Sequence, residues 1–287
     1  MTWFILSLFA ALFDASKNVV SKKGLVHLDE YVMLCGLNVF SLLVFLPAVI
    51  AKPFPSLTTD FWIILLISGT IAAVGLTLTM RAFRISDLSL TVPLISFSPV
   101  FLLIIAGIFL KEYPTPLGLL GVICIFMGSY LLKIDQRRKG ILRPFQALLN
   151  EKGPRLMFIV AFLWAINGTI EKIAIGKSSP EVWATLNAIY MSIIFSILMI
   201  WKSKKHLSLI PKKLPLLILQ GLLHGGMLLS QYHAFRIAIL VYVSSIKQTS
   251  SLFSVLFGWY FFGEKDINKR LIASTVMLIG VIMILLG

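Results

Sequence analysis

The sequence Ala82-Phe83-Arg84-Ile85 occurs twice in this chain, and this repetition limits the possible folds more than any other feature. It returns at residues 234–237, a shift of 234 − 82 = 152 residues. The same shift aligns further residues without a gap: Gly69 with Gly221, Leu88 with Leu240, Phe101 with Phe253, Phe109 with Phe261, Glu112 with Glu264 and Gly128 with Gly280. The chain is therefore predicted to contain two copies of one unit.

Composition indicates that this unit lies in a membrane. Of the 287 residues, 58% are hydrophobic and only 13% are charged, which leaves too few polar side chains to cover a water-facing surface. Continuous apolar stretches of about 20 residues, the length that crosses hydrocarbon as a helix, recur along the whole sequence. The net charge of +14 comes mostly from short segments between these stretches, which is typical of membrane loops and does not indicate nucleic-acid binding.

Ten membrane spans are predicted, five in each copy. They cover residues 3–21, 30–50, 61–82, 88–110, 116–132, 156–175, 182–201, 214–235, 240–262 and 271–286. Because five is odd, the second copy must have the opposite orientation to the first, as in many secondary transporters. We predict an all-α polytopic membrane protein of ten transmembrane helices in two inverted five-helix repeats: residues 1–134, a basic connector at 135–154, and residues 155–287.

The distribution of Lys and Arg predicts the orientation in the membrane of the cell. The two most basic loops, residues 133–155 and 202–213, are separated by two spans and so face the same side. Since basic loops stay in the cytoplasm, both loops are expected there, with both termini on the opposite side. The N-terminal span has no basic residue before it and is interpreted as a retained helix rather than a signal peptide.

Lys247 is the first candidate for a binding residue. It lies about two turns inside the ninth span, next to Gln248, and its counterpart in the first copy is the apolar Ile95. A charge at mid-membrane costs about 2.5–3.5 kcal/mol on insertion scales, so Lys247 must face a partner or a wet cavity. Two interpretations remain open: a positive charge that recruits an anionic group of a substrate, or a structural ion pair with Glu171 or Asp14.

The eighth span carries a polar stripe. Gln220, His224, Met227 and Gln231 follow one another at helical spacing and therefore share one face. His224 and Gln231 could donate hydrogen bonds to a substrate, and His224 could titrate if transport is coupled to protons. The alternative is a histidine that is simply hydrogen-bonded within the bundle.

Further candidates lie on the first, sixth and seventh spans. Asn167 and Glu171 share a face of the sixth span, and Tyr190 lies in the seventh. Asp14 lies near the middle of the first span and can reach Lys17 at i+3. Two interpretations of Asp14 are therefore open: a proton or cation carrier, or one partner of an internal ion pair with Lys17. Glu171 is the second candidate for coupling. Interhelical hydrogen bonding would explain the polar residues of these spans equally well.

Other features point to scaffold or hinge roles. Pro93 and Pro99 predict a bend in the fourth span. The fifth and tenth spans are almost wholly apolar, with glycines suited to close packing. Cys35 and Cys124 lie in apolar runs and are read as inert thiols. No phosphate loop, metal motif or nucleophile set appears, so neither an enzyme nor a cofactor is expected.

These residues resemble the EamA domains of the drug/metabolite transporter superfamily. The resemblance rests on the AFRI-type stretch that closes the third span of each copy, on the Phe262-Gly263-Glu264 junction, and on the segment from Leu163-Trp164 to Lys172. The first copy departs from it at Leu110-Lys111-Glu112, where the glycine is replaced. The resemblance implies a secondary transporter of small metabolites, often an exporter, with a cavity lined by spans 1–4 and 6–9. It also implies cytoplasmic termini, which conflicts with the Lys/Arg distribution.

We therefore expect a transporter that moves a small anionic or zwitterionic solute, amino acid-like or otherwise, by alternating access. Its expected partners are the solute and the lipid bilayer, with no nucleic acid and with a homodimer as one arrangement. Two other classes remain open. One is a non-transporting membrane subunit or receptor whose polar stripes are structural, and the other is a membrane enzyme that acts on lipid.

Overall fold

The computed structural model describes residues 1–86, 92–133, 150–253, 257 and 267–287. Each of the ten predicted spans contains α-helix among its described residues, and the described residues form no β-strand, which confirms the predicted fold class. The helices are α1 (Thr2–Leu25), α2 (Glu30–Ile50), α3 (Thr59–Ile85), α4 (Ser98–Leu110), α5 (Pro116–Lys133), α6 (Lys152–Lys177), α7 (Pro180–Lys202), α8 (Ile210–Ile237), α9 (Leu240–Lys247) and α10 (Ile267–Leu286). Two 3₁₀ segments, Val92–Phe97 and Lys204–Leu209, precede α4 and α8.

Six of the described helices are long and apolar enough to cross a membrane: α1, α2, α3, α6, α7 and α8. Shorter apolar helices occupy Leu94–Leu110, Pro116–Leu132 and Ile272–Leu286. Residues 135–149 of the connector predicted at 135–154 and the Phe262-Gly263-Glu264 junction lie outside the described residues.

Local sequence signals set several helix starts. The side chain of Asp29 accepts a hydrogen bond from the backbone N–H of Tyr31 at 2.8 Å and so caps α2. Ser179 caps α7 in the same way through the N–H of Val182, and Pro180 follows it at the first helical position. Such caps satisfy backbone donors that have no partner within the helix.

Hydroxyl groups inside the spans are satisfied by their own helices. Ser7, Thr77, Thr79 and Thr169 each donate to the carbonyl oxygen four residues earlier, at 2.8 to 3.0 Å. Because hydrocarbon offers no hydrogen-bonding partner, these local bonds allow serine and threonine to lie in apolar helices at little cost.

The chain divides into two compact units that do not follow the two sequence repeats. Unit 1 contains residues 1–69 and 171–237, and unit 2 contains residues 70–170 and 238–287. The divisions fall within α3 and α6, so each unit takes helices from both repeats.

Unit 1 is held together by α8, which packs against both α1 and α2, while α7 packs on α2. Small residues on α8 allow these approaches. A Cβ at Gly225 would lie 2.9 Å from Val44 of α2, and one at Gly226 would lie 3.1 Å from Phe13 of α1. Near one end, α2 and α8 bury a cluster made of Leu28, Val32, Met33 and Leu217.

In unit 2, α5 and α10 pack in close backbone contact. A Cβ at Gly121 would lie 2.6 Å from the carbonyl oxygen of Gly280, and a Cβ at Gly280 would lie 2.6 Å from that of Gly121. A Cβ at Gly128 would likewise meet the carbonyl oxygen of Ala273 at 2.7 Å. The predicted close packing of the fifth and tenth spans is therefore observed, because glycine alone leaves room for this approach.

Candidate functional site

The fourth and ninth spans both depart from α-helical geometry, and they do so at positions related by the 152-residue repeat. In the fourth span the 3₁₀ segment Val92–Phe97 gives way to α4 at Ser98, which agrees with the bend predicted from its prolines. In the ninth span α9 ends at Lys247. Among its described residues, the predicted span at 240–262 is therefore interrupted at 248–249 before helix resumes at 250–253: three-residue hydrogen bonds from Gln248 to Ser245 and from Thr249 to Ile246 tighten the backbone here.

These two irregular segments meet at a buried serine of α5. Ser96 and Gln248 are equivalent residues of the two repeats. The Ser96 and Ser129 hydroxyl oxygens lie 3.1 Å apart, and Ser129 donates to Oε1 of Gln248 over a longer 3.5 Å. Equivalent residues of the two repeats that reach the same serine are what a pseudo-two-fold axis between repeats predicts, and interrupted helices at corresponding positions make this point a candidate for a binding site.

Aromatic side chains hold the bend in the fourth span. The ring of Phe97 lies 4.8 Å from that of Phe126 on α5 and 5.5 Å from that of Phe158 on α6, in edge-on arrangements. Phe101 continues the cluster, 5.1 Å from Phe158 and 5.4 Å from Phe162. Because such pairs add to the energy of burial, the bend is a packed and stable feature of unit 2.

Lys247 is the last residue of α9, directly before the turn, and its side chain is half-buried. A cation at this end of a helix is stabilised by the partial negative charge of the last carbonyl groups. The sequence placed Lys247 in the interior of a longer helix, and the structure instead places it at the end of α9. Lys247 and Gln248 thus occupy the irregular part of the ninth span.

The link through Ser129 gives a testable prediction. Ser129→Ala removes the hydroxyl that joins Ser96 to Gln248, and we expect a loss of about 1 kcal/mol, the range measured for hydrogen bonds between membrane helices. Ser7→Ala is the matched control, because Ser7 is equally buried but bonds only within its own helix. Thermal unfolding of both variants in detergent checks the prediction, and equal unfolding temperatures would contradict it.

In unit 1 the polar residues of α1 face the polar stripe of α8. Asp14 accepts a hydrogen bond from Lys17 at 2.7 Å, and Nζ of Lys17 also lies 3.7 Å from the sulfur of Met227. One turn further along, the Gln220 amide donates to the Ser21 hydroxyl at 2.9 Å. The internal Asp14–Lys17 pair that the spacing suggested is therefore present, and part of the stripe on α8 is used for packing between helices.

Glu171 occupies a different part of unit 1. Its carboxylate accepts a hydrogen bond from the Tyr232 hydroxyl at 3.1 Å, and both side chains are buried. Tyr232 was not among the residues singled out from the sequence. A phenol donor stabilises a carboxylate in an apolar setting without a formal positive charge.

The remaining candidates are distributed over both units. In unit 1, His224 and Gln231 lie on the same face of α8, half-buried and buried respectively, and the ring of Tyr190 packs against the backbone of Gly69. Asn167 is buried in the part of α6 that belongs to unit 2. Lys247 and Gln248 on the ninth span also belong to unit 2, and both are half-buried. The structure thus brings Asp14, Glu171, Tyr190, His224 and Gln231 into unit 1, and Asn167, Lys247 and Gln248 into unit 2.

Sequence reasoning missed a polar cluster at one end of unit 1. Oε1 of Glu181 lies 3.0 Å from Nε2 of His233 and also forms an ion pair with Lys52. These three residues are far apart in the chain, so no spacing pattern connects them. An acid in the first turn of an apolar span was the one available signal.

The fold and its paired helix interruptions define a multi-pass α-helical membrane protein built from an inverted repeat. The sequence matches the model of the EamA-like transporter family over residues 1–134 and again over 152–286, so the chain belongs to this family. It is a membrane transporter of the drug/metabolite type.

A crystal structure of a protein with 12% sequence identity has the same fold. Its TM-score is 0.80, over 99% of this chain and 97% of that one. At this identity the likeness concerns the fold alone. No curated protein matches the sequence significantly.

Proposed function

We propose that this transporter moves a small polar solute that carries a carboxylate or phosphate group, by alternating access, with Lys247 as the group that recruits the anion. The observation that carries the proposal is the position of Lys247 and Gln248 at the interruption of the ninth span, beside the equivalent interruption of the fourth. Backbone that leaves helical geometry inside a membrane is tolerated where it is buried in protein or lines a water-filled cavity.

The chemistry of the side chains supports an anionic or zwitterionic solute. Lys247 supplies a positive charge with three donors, and Gln248 supplies an amide next to it. Asn167, His224, Gln231 and Tyr190 would contribute further hydrogen bonds. In this proposal Asp14 or Glu171 serves as the proton or cation carrier, exchanging its present partner, Lys17 or Tyr232, for the coupling ion.

The Lys/Arg distribution supports an orientation with the loops at 133–155 and 202–213 in the cytoplasm. The direction in which the solute moves does not depend on this assignment. Export is the direction that the family resemblance favours.

A ligand screen tests the proposal. The purified protein in detergent is heated with amino acids, carboxylic acids and phosphate esters, with neutral sugars and simple amines as controls. We expect anionic or zwitterionic compounds to raise the unfolding temperature, because a ligand at 100 times its Kd adds about 2.7 kcal/mol to the stability of the folded state. Compounds that stabilise are then tested as solutes in proteoliposomes. Stabilisation by amines alone would contradict the proposal.

A further inference from the structure

The cluster of Glu181, His233 and Lys52 in unit 1 has features that the transport proposal does not use. Glu181 lies in the first turn of α7 and is 3% exposed. Its Oε1 contacts both Lys52, just after α2, and His233, in the last two turns of α8. Its Oε2 is buried and has no hydrogen-bond partner among the described residues. Oε1 alone therefore interacts with both of the other side chains in the cluster.

The two contacts of the His233 ring determine which of its nitrogens carry a proton. Nδ1 lies 2.9 Å from the carbonyl oxygen of Leu229, which can only accept, so Nδ1 must carry a hydrogen. In a neutral imidazole this leaves a lone pair on Nε2, which lies 3.0 Å from Oε1 of Glu181. Two acceptors at this distance repel each other. The contact between Nε2 and Oε1 is a hydrogen bond only when a second proton lies between these two atoms.

The position of Lys52 determines which group holds that proton. Lys52 donates to the same Oε1, and an ionised carboxylate accepts from two donors more readily than a carboxylic acid does. Glu181 is therefore the anion and His233 the imidazolium, and the cluster has a net charge of +1 with the proton bound and zero without it. The side chains of Lys52 and His233 are 56% and 35% exposed, so water can exchange the proton.

We propose that Glu181, His233 and Lys52 form a proton-binding site that joins α7, α8 and the end of α2 when one proton is bound. Loss of the proton leaves the Nε2 lone pair facing the carboxylate, which weakens the contact between α7 and α8. With the termini outside the cytoplasm, this end of unit 1 would experience the external pH.

Other charged groups near this end of unit 1 are paired with other residues or are exposed. Lys177, at the end of α6, pairs with Asp60, in the first turn of α3, and both are exposed. Arg236 is exposed three residues after His233 on α8, and Glu171 of α6 is bonded to Tyr232. Among the described residues, the charged groups in direct contact with His233 and Glu181 are therefore those of the cluster itself.

The test is the pH dependence of thermal unfolding of the full chain in detergent, from about pH 5 to about pH 8, the range in which histidine changes charge. The protein is compared with His233→Gln and with His27→Gln, a control at an exposed histidine in the loop after α1. Because the folded state holds the proton and the unfolded chain does not position it, the stabilisation by His233 is present at acid pH and lost as the pH rises.

We expect the unfolding temperature of the unmodified protein to exceed that of His233→Gln at acid pH, and this difference to shrink by about 3 °C or more across the range. A difference that stays constant across the range, or one that His27→Gln reproduces, would overturn the proposal.

Lys52→Gln provides a second measurement if His233→Gln does not fold. Lys52 is more than half exposed, so its replacement is compatible with folding. Without Lys52, His233 is the only cationic partner of Glu181 in the cluster, so more of this contact depends on the imidazolium. We expect the stability of this variant to fall more steeply with rising pH than that of the unmodified protein, and an unchanged pH profile would overturn the proposal. Neither measurement uses transport, so the outcome leaves the proposed function untouched.

Discussion

Replacement of Lys247 by alanine is expected to abolish transport of the anionic solute while the protein still folds. Removing one partner of a buried, hydrogen-bonded charge pair costs about 2 kcal/mol or more, which corresponds to roughly a 30-fold loss of affinity. The side chain is half-buried at the end of α9, so its truncation removes little buried apolar surface. The measurement is uptake by proteoliposomes of a solute selected in the ligand screen.

Two controls separate recruitment of an anion from general damage. Lys247→Arg keeps the positive charge and should retain more uptake than the alanine variant. Lys177→Ala removes an exposed lysine whose pair with Asp60 is exposed too, and surface pairs of this kind contribute little. Unchanged uptake by well-folded Lys247→Ala protein would exclude Lys247 as the recruiting group and leave the fold and the family assignment as they are.

Replacement of Gly121 is expected to have the largest effect on stability. A Cβ at this position would lie 2.6 Å from the carbonyl oxygen of Gly280 and 2.9 Å from the backbone nitrogen of Ile284. Backbone atoms of α10 cannot rotate away as a side chain can, so α5 and α10 must separate. Gly121→Ala should cost about 1–3 kcal/mol, and Gly121→Leu should prevent recovery of folded protein.

Gly176 is the matched control for this prediction. It lies near the end of α6, and a Cβ there would meet no heavy atom within 4 Å. Since alanine is favoured over glycine inside a helix by up to about 1 kcal/mol, Gly176→Ala should leave the unfolding temperature unchanged or raise it. Equal unfolding temperatures for Gly121→Ala and Gly176→Ala in detergent would contradict the close approach of α5 and α10.

Much of the fold could be predicted because apolarity and repetition are properties of the sequence itself. The length of each apolar run indicated a helix, the 152-residue shift indicated two copies, and the odd number of spans required opposite orientations. Glycines in the fifth and tenth spans indicated close packing, and the spacing of Asp14 and Lys17 indicated their pair. Each of these signals lies within one helix or follows from a simple comparison of the two copies.

Other features depended on neighbours that are distant in sequence. The ninth span contains no proline, and its polar residues around Lys247 did not by themselves predict that α9 would end there. The backbone there stays hydrogen-bonded through local three-residue bonds, and Ser129, from another helix, bonds to the side chain of Gln248. The sequence singled out Glu171 as a candidate carboxylate, but not its donor Tyr232, 61 residues away.

The amino-acid sequence alone determined that this chain crosses the membrane repeatedly as ten helices in two copies, because hydrocarbon requires each span to satisfy its own backbone hydrogen bonds. The tertiary structure decided where the fourth and ninth spans depart from that rule, and which polar groups meet, such as His233 with Glu181. Those outcomes depend on groups supplied by other helices, since an interrupted helix or a buried charge in a membrane is stable only when a neighbour satisfies it.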